Sequence, residues 1–197
     1  MPPRVRKILR NNIHGVSTPV IKRFYRRGGA LAVPTPLVEY TRSYLSRIMK
    51  AYLHDIIVIA DYNKKKTVST DHFKTALELR NKSLASSKKP NVKACKNAAT
   101  VYKKITAAKR VEYQQKNTDC LIIPRLPFNR LTREIAQDFE TGLAFSSDFL
   151  IYFQIFIEMT LSDLTTEAVK HAKHAKRKGV TTEDLDMASV HIEDHLM

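Results

Sequence analysis

The residues best able to do chemistry in this chain are its cations. Lys and Arg number 34 against 19 Asp and Glu, for a net charge of +15 and a pI of about 9.9. They come in blocks. Residues 1–38 hold Arg4, Arg6, Lys7, Arg10, Lys22, Arg23, Arg26 and Arg27 and no acid, while residues 81–118 hold ten cations against Glu112 alone. Residues 39–80 hold eight cations against five acids, and residues 119–197 eight against thirteen. A polyanion is the natural partner for such blocks, because each phosphate neutralised by Lys or Arg releases a condensed counterion. The competing reading is a solvated, solubilising surface.

Other chemistry is hard to assemble from these residues. With only 5 Gly there is no Gly-rich phosphate loop, and no nucleophile has a matched base, so an enzyme is not expected. Cys95 and Cys120 are too few for a disulfide framework and read as incidental thiols of a reducing compartment. His171 and His174 stand three apart and could begin a metal site, but no further Cys or carboxylate is spaced to complete one. No metal or cofactor is expected. The most apolar run, Phe149 to Met159, is short and interrupted by Gln154 and Glu158, so no membrane span or membrane partner is expected. No apolar stretch follows the basic start, and no signal peptide is read there. At 43% hydrophobic residues the chain can bury a core.

These cations are positioned by a repeat of helices. Thr35 as N-cap and Pro36 at the first position open one helix over 36–62, with Tyr44/Leu45, Ile48/Met49, Tyr52/Leu53 and Ile56/Ile57 at helical spacing. Ser147 or Asp148 opens a second over 148–175, striped by Phe149, Phe153, Phe156, Thr160, Leu161, Leu164, Ala168 and Ala172. Each is far longer than the average helix of about 11–12 residues. A short helix precedes each, over Pro19–Arg27 (ended by Gly28-Gly29) and Pro127–Phe139 (ended near Gly142). A short helix follows each, after Lys66-Thr67-Val68-Ser69 and Lys178-Gly179-Val180-Thr181. The offset from Pro36 to Asp148 and from Lys66 to Lys178 is 112 residues in both cases. No sheet is expected. A long helix apolar on several sides cannot be buried by two short ones. The fold predicted is all-α, an intramolecular pseudo-dimer of two helical units with residues 81–112 between them.

The residues also carry a family resemblance. Arg6-Lys7-Ile8-Leu9-Arg10-Asn11-Asn12-Ile13-His14-Gly15, then Thr18-Pro19 and Arg26-Arg27-Gly28-Gly29, resembles the opening of histone four, as do Glu39, Thr41-Arg42 and Lys64 to Ser69. Leu126 to Phe139 resembles the first core helix of histone three, continued by His174-Ala175-Lys176-Arg177 and Asp184. In this order the halves resemble the fused histone doublets of marseillevirus-type giant DNA viruses. The resemblance implies two histone folds paired in a handshake: a histone-four-like half over 1–80, a basic linker over 81–112, and a histone-three-like half with a preceding N-terminal helix over 113–197. It implies sequence-independent wrapping of double-stranded DNA. Arg10, Lys22, Arg23, Arg26, Lys64, Lys66, Thr67, Arg125, Arg130, Arg133, Lys176, Arg177 and Lys178 are then the candidate DNA contacts. His171, His174, Arg177, Asp184 and Met187 would join a second copy through a four-helix bundle, with Asp184 accepting from His174 and Arg177 of the other chain. Asp55, Ile59, Tyr62, Thr75 and Leu79 would face a second doublet resembling histones two-B and two-A. A chromatin-like nucleoprotein in a virion, viral factory or host nucleus is the implied location.

Three departures from the family pattern matter. The loops that usually offer an arginine to the minor groove carry Ala32 and Ala144, which implies a weaker grip on DNA. The histone-four match begins almost at Met1, so no long Lys-rich tail is expected there. The histone-three tail is replaced by a linker tethered at both ends. A histone-fold transcription regulator is the alternative function, and retention of His174, Arg177 and Asp184 weighs against it.

Overall fold

A computed structural model describes residues 12–80, 106–116 and 121–194. Arg10, Cys95, Cys120 and most of the expected linker lie outside these residues. The described elements are a short 3-10 turn (Asn12–Gly15), α1 (Thr18–Arg27), α2 (Thr35–Tyr62), β1 (Thr67–Val68), α3 (Thr70–Leu79), α4 (Ala107–Lys116), α5 (Arg125–Gln137), β2 (Ala144–Phe145), α6 (Ser147–His174) and α7 (Thr182–Asp194). The described residues are all-α apart from the two-residue strands and one isolated bridge, and no described helix is long and apolar enough to cross a membrane.

Most element boundaries follow local sequence chemistry. α6 starts one residue before the expected position because the Ser146 hydroxyl, not that of Ser147, accepts the Phe149 N–H, at 3.1 Å. α5 starts at Arg125 with Pro127 inside its first turn, where a missing N–H costs no intrahelical bond. α4 crosses the expected boundary at residue 112. β1 and β2 pair in parallel, Thr67 with Ala144 and Val68 with Phe145. Runs this short have no hydrophobic alternation to reveal them, so sequence periodicity could not find them.

The described residues form two compact units, and each unit draws on both halves of the sequence. The first takes residues from Met1–Val16, Tyr44–Ala85 and Pro124–Ile157. Its core is aromatic. Phe73 of α3 meets Phe149, Phe153 and Phe156 of α6 edge-on at centroid distances of 5.9, 5.7 and 5.6 Å. Tyr52 of α2 meets Phe156 at 4.8 Å, and Phe128 of α5 meets Phe153 at 5.8 Å. Tyr52, Phe73, Phe128, Phe149 and Phe153 are almost wholly buried. The Asn12 N–H, in the 3-10 turn, is accepted by Glu134 of α5 at 2.8 Å.

The second unit takes residues from Ser17–Ser43, Ser86–Ile123 and Glu158–Met197. Here α1 packs beside α4, and the buried Tyr25 hydroxyl shares a 2.7 Å hydrogen bond with Thr41. That burial pushes the Tyr25 phenol far above its ordinary range, with the Thr41 bond acting against it. Glu158 of α6 is buried and accepts the backbone N–H groups of Ile122 at 2.6 Å and Ile123 at 2.9 Å. A carboxylate that reads in the sequence only as an interruption of an apolar run therefore clamps the segment leading into α5. α1 ends in close approach to α6: a Cβ on Gly28 would stand 3.1 Å from the Thr166 Cα and 3.2 Å from the Thr165 carbonyl oxygen. Gly29 has φ of +100°, a conformation that favours glycine.

Two stability outcomes are expected from this packing. Glu158→Gln turns one acceptor of a buried N–H into an amide donor. It should cost about 1–3 kcal/mol and several degrees of melting temperature, read by calorimetry; an unchanged melting temperature would show the clamp to be dispensable. Gly28→Ala should cost about 1–3 kcal/mol by overpacking in urea titration. Gly179→Ala, with open space around the added methyl, should be close to neutral.

Candidate nucleic-acid interface

Exposed cations stand on loops that the repeat builds twice. After α2, Lys64 takes a left-handed conformation with φ of 53°; after α6, Lys176 does the same with φ of 56°. Their N–H groups close matching turns. Lys64 donates to the Asp61 carbonyl at 2.7 Å and Lys176 to that of Lys173 at 2.9 Å. The next residues, Lys65 and Arg177, donate to Ala60 at 3.0 Å and Ala172 at 2.9 Å. Glycine normally ends a helix this way, because a side chain costs about 1–2 kcal/mol in that conformation. A lysine stands there in both halves and puts a cation at the turn.

Each of these loops is paired with the loop preceding the other long helix. In the first unit the Ala144 N–H donates to the Lys66 carbonyl at 2.9 Å and the Ser146 N–H to that of Val68 at 3.0 Å. In the second unit Ala32 pairs in parallel with Gly179. The 112-residue offset carries Ala32 onto Ala144 and Thr67 onto Gly179, so one pairing occurs once in each unit. Both alanines, read from sequence as the missing minor-groove anchors, are exposed at these pairings. In the second unit Ala32, Val33 and Pro34 line a shallow concavity with residues 177–181.

The candidate contacts divide between the units. Lys64, Lys66 and Thr67 are exposed in the first unit, as are Arg125, Arg130 and Arg133 on α5. Lys176, Arg177 and Lys178 are exposed in the second unit, and Lys22, Arg23 and Arg26 are half-exposed on α1. Lys65, which sequence reasoning passed over, is exposed in the same loop as Lys64. The Lys-Lys-Lys run was the signal that could have included it.

Arg177 has a second task. Its two terminal nitrogens donate to Asp184 at 3.0 and 2.6 Å, and Thr181 donates to the same carboxylate from its N–H at 2.9 Å and its hydroxyl at 3.1 Å. Burial pushes the Asp184 carboxyl up, but the bonds from Arg177 and Thr181 together outweigh it and hold the group below the usual carboxylate range. The Arg177–Asp184 contact, expected between two copies, is thus made within one chain. Asp184 lies in the first turn of α7, seven residues from Arg177, and the pair spans the connecting loop. Of the other residues expected at that face, His174 and Met187 are exposed and His171 is half-buried.

The face assigned to a second doublet is also partly self-satisfied. Asp55 is held by Arg80 of the same chain at 2.6 Å, and the Arg80 guanidinium lies 4.8 Å from the centre of the Tyr52 ring. Burial is the main cause that pushes the Tyr52 phenol up to about 12. Around this pair Tyr62 is 87% and Leu79 72% exposed, with Thr75 exposed and Ile59 intermediate. Among the described residues no group of three or more His, Cys, Asp or Glu could hold a metal ion.

A crystal structure of the histone from Methanopyrus kandleri is similar at a TM-score of 0.48 and 17% identity, over 86% of this chain and 90% of that one. Residues 103–190, which span α4 to α7, match the family model that describes the core domain shared by histones two-A, two-B, three and four.

Proposed function

We propose that the chain is a histone doublet, a histone-four-like half followed by a histone-three-like half, that binds and compacts duplex DNA without reading its bases. The observation that carries this reading is the duplicated loop pair. Each unit presents lysines on a tight left-handed turn, braced by backbone pairing to the loop before the other long helix. Cations on such turns suit a regularly spaced phosphate backbone. The match of residues 103–190 to the core histone domain supports the same reading. The two halves pair as an intramolecular handshake, which the composition of each unit from both halves supports. Two copies join through α6 and α7 by way of His171, His174, Arg177, Asp184 and Met187. Asp55, Ile59, Tyr62, Thr75 and Leu79 receive a second, histone two-B/two-A-like doublet. The product is a chromatin-like nucleoprotein particle, as in the viral doublets that the chain resembles.

Reconstitution on duplex DNA of mixed sequence, with nuclease digestion, tests the proposal. A protected ladder independent of sequence is expected. A single short footprint at one sequence would overturn it in favour of a transcription regulator. Salt dependence supplies the magnitude. Replacing Lys64 and Lys66 by Ala should weaken binding to all sequences alike. The slope of log affinity against log salt should flatten by about 0.9 for each phosphate left without its cation. Ala32→Arg with Ala144→Arg should raise the salt concentration at which DNA is released; no change would show that the alanines do not weaken the grip.

A further inference from the structure

The 112-residue offset that pairs the loops also pairs their supports, and there the two halves differ. Lys65 corresponds to Arg177, Ser69 to Thr181, and His72 to Asp184. In the second unit the support is the charged Arg177–Asp184 pair, with the Thr181 N–H donating to Asp184. In the first unit the Ser69 N–H donates to the His72 Nδ1 at 3.3 Å, the reach-back bond of a capping box. His72 is buried, at 3% exposure. The loop position that corresponds to Arg177 holds Lys65, whose charge acts on the ring against that of Asp71.

The bond requires an unprotonated Nδ1, because a charged imidazole carries N–H on both nitrogens and has no acceptor. The charges acting on the ring are Lys65 from the loop and Asp71 beside it on α3. The neighbouring Phe73 packs into the phenylalanine cluster of α6, which offers the ring no counter-charge. A proton on His72 would lose the bond to Ser69 and stand near Lys65.

We propose that His72 is an acid-sensitive latch under the DNA-facing Lys64–Thr67 loop, while its counterpart Asp184 latches the Lys176–Thr181 loop without acid sensitivity over the same range. The inference deepens the DNA-binding reading and rests on it for the loop's role. The latch itself is a property of the free chain. His72 is a positioning residue: it holds the backbone that carries the cations and touches no phosphate.

The sign follows from linkage. Burial first, then Lys65, lowers the His72 pKa from its ordinary value of about 6.5, against the opposing pull of Asp71. A group whose folded pKa is depressed takes up its proton more readily when the loop is open. The closing contribution is therefore complete above about pH 6.5 and declines as pH falls below that toward the folded value. Asp184, already below the carboxylate range, stays charged across this window.

The test is amide hydrogen exchange of the full chain without DNA, at about pH 7.5 and about pH 5, corrected for the intrinsic pH dependence of exchange. Peptides over residues 63–72 should lose roughly fivefold in protection at the lower pH, the scale of one hydrogen bond, while those over 175–184 stay level. His72→Asn, whose side-chain carbonyl can accept from Ser69 without titrating, should keep protection at both pH values. His72→Ala should lose it at both. Equal acid sensitivity in the two loops, or unchanged acid sensitivity in His72→Asn, would overturn the latch. Nuclease protection of bound DNA, read separately, then tests the DNA reading. A working latch in a chain that does not protect DNA would refute that reading and leave the latch standing.

Discussion

Phe73 belongs to the first half of the sequence, and its ring is enclosed by three phenylalanines of the second. That edge-on cluster expresses the constraint on which the rest of the structure depends. Both α2 and α6 are 28 residues long and apolar on more than one side. A short helix before and after cannot cover such a surface. Each half must therefore complete its core with residues from the other, and both compact units do so. Burying apolar area at about 25 cal/mol per Å² makes this the dominant stabilising term, and the aromatic geometry adds orientation to it.

The loop pairs follow from that arrangement. A loop that precedes one long helix meets the loop that follows the other, and backbone pairing fixes their register. The cations gain a rigid platform. Lys64 and Lys176 then hold a strained conformation that surrounding hydrogen bonds impose. What such loops offer to solvent is fixed position and positive charge.

The two halves are similar in backbone and different in how they are fastened. One loop is held by a charged pair, Arg177 with Asp184, and the other by the bond from the Ser69 N–H to the His72 imidazole. Their outer faces differ as well. Tyr62 and Leu79 leave an apolar surface beyond the Asp55–Arg80 pair, while the corresponding end of the second half offers His174 and Met187.

Much of this was legible in the residues. Helical spacing located α2 and α6 to within a residue, because long amphipathic periods are a strong signal and their flanking Pro, Ser and Gly act locally. The 112-residue repeat exposed the duplication, and charge blocks pointed to a polyanion before any helix was placed. Non-local contacts were not legible. Nothing near Glu158 in sequence indicates that it accepts the Ile122 and Ile123 amides, and two-residue strands have no period to detect. Spacing alone also could not tell that Asp184 is already bonded to Arg177 within its own chain. Which residues are helical, which are charged and that they recur follow from local residue chemistry. Which loop meets which, and which polar groups are already paired, emerge with folding, because those depend on distances between segments that burial of the long helices brings together.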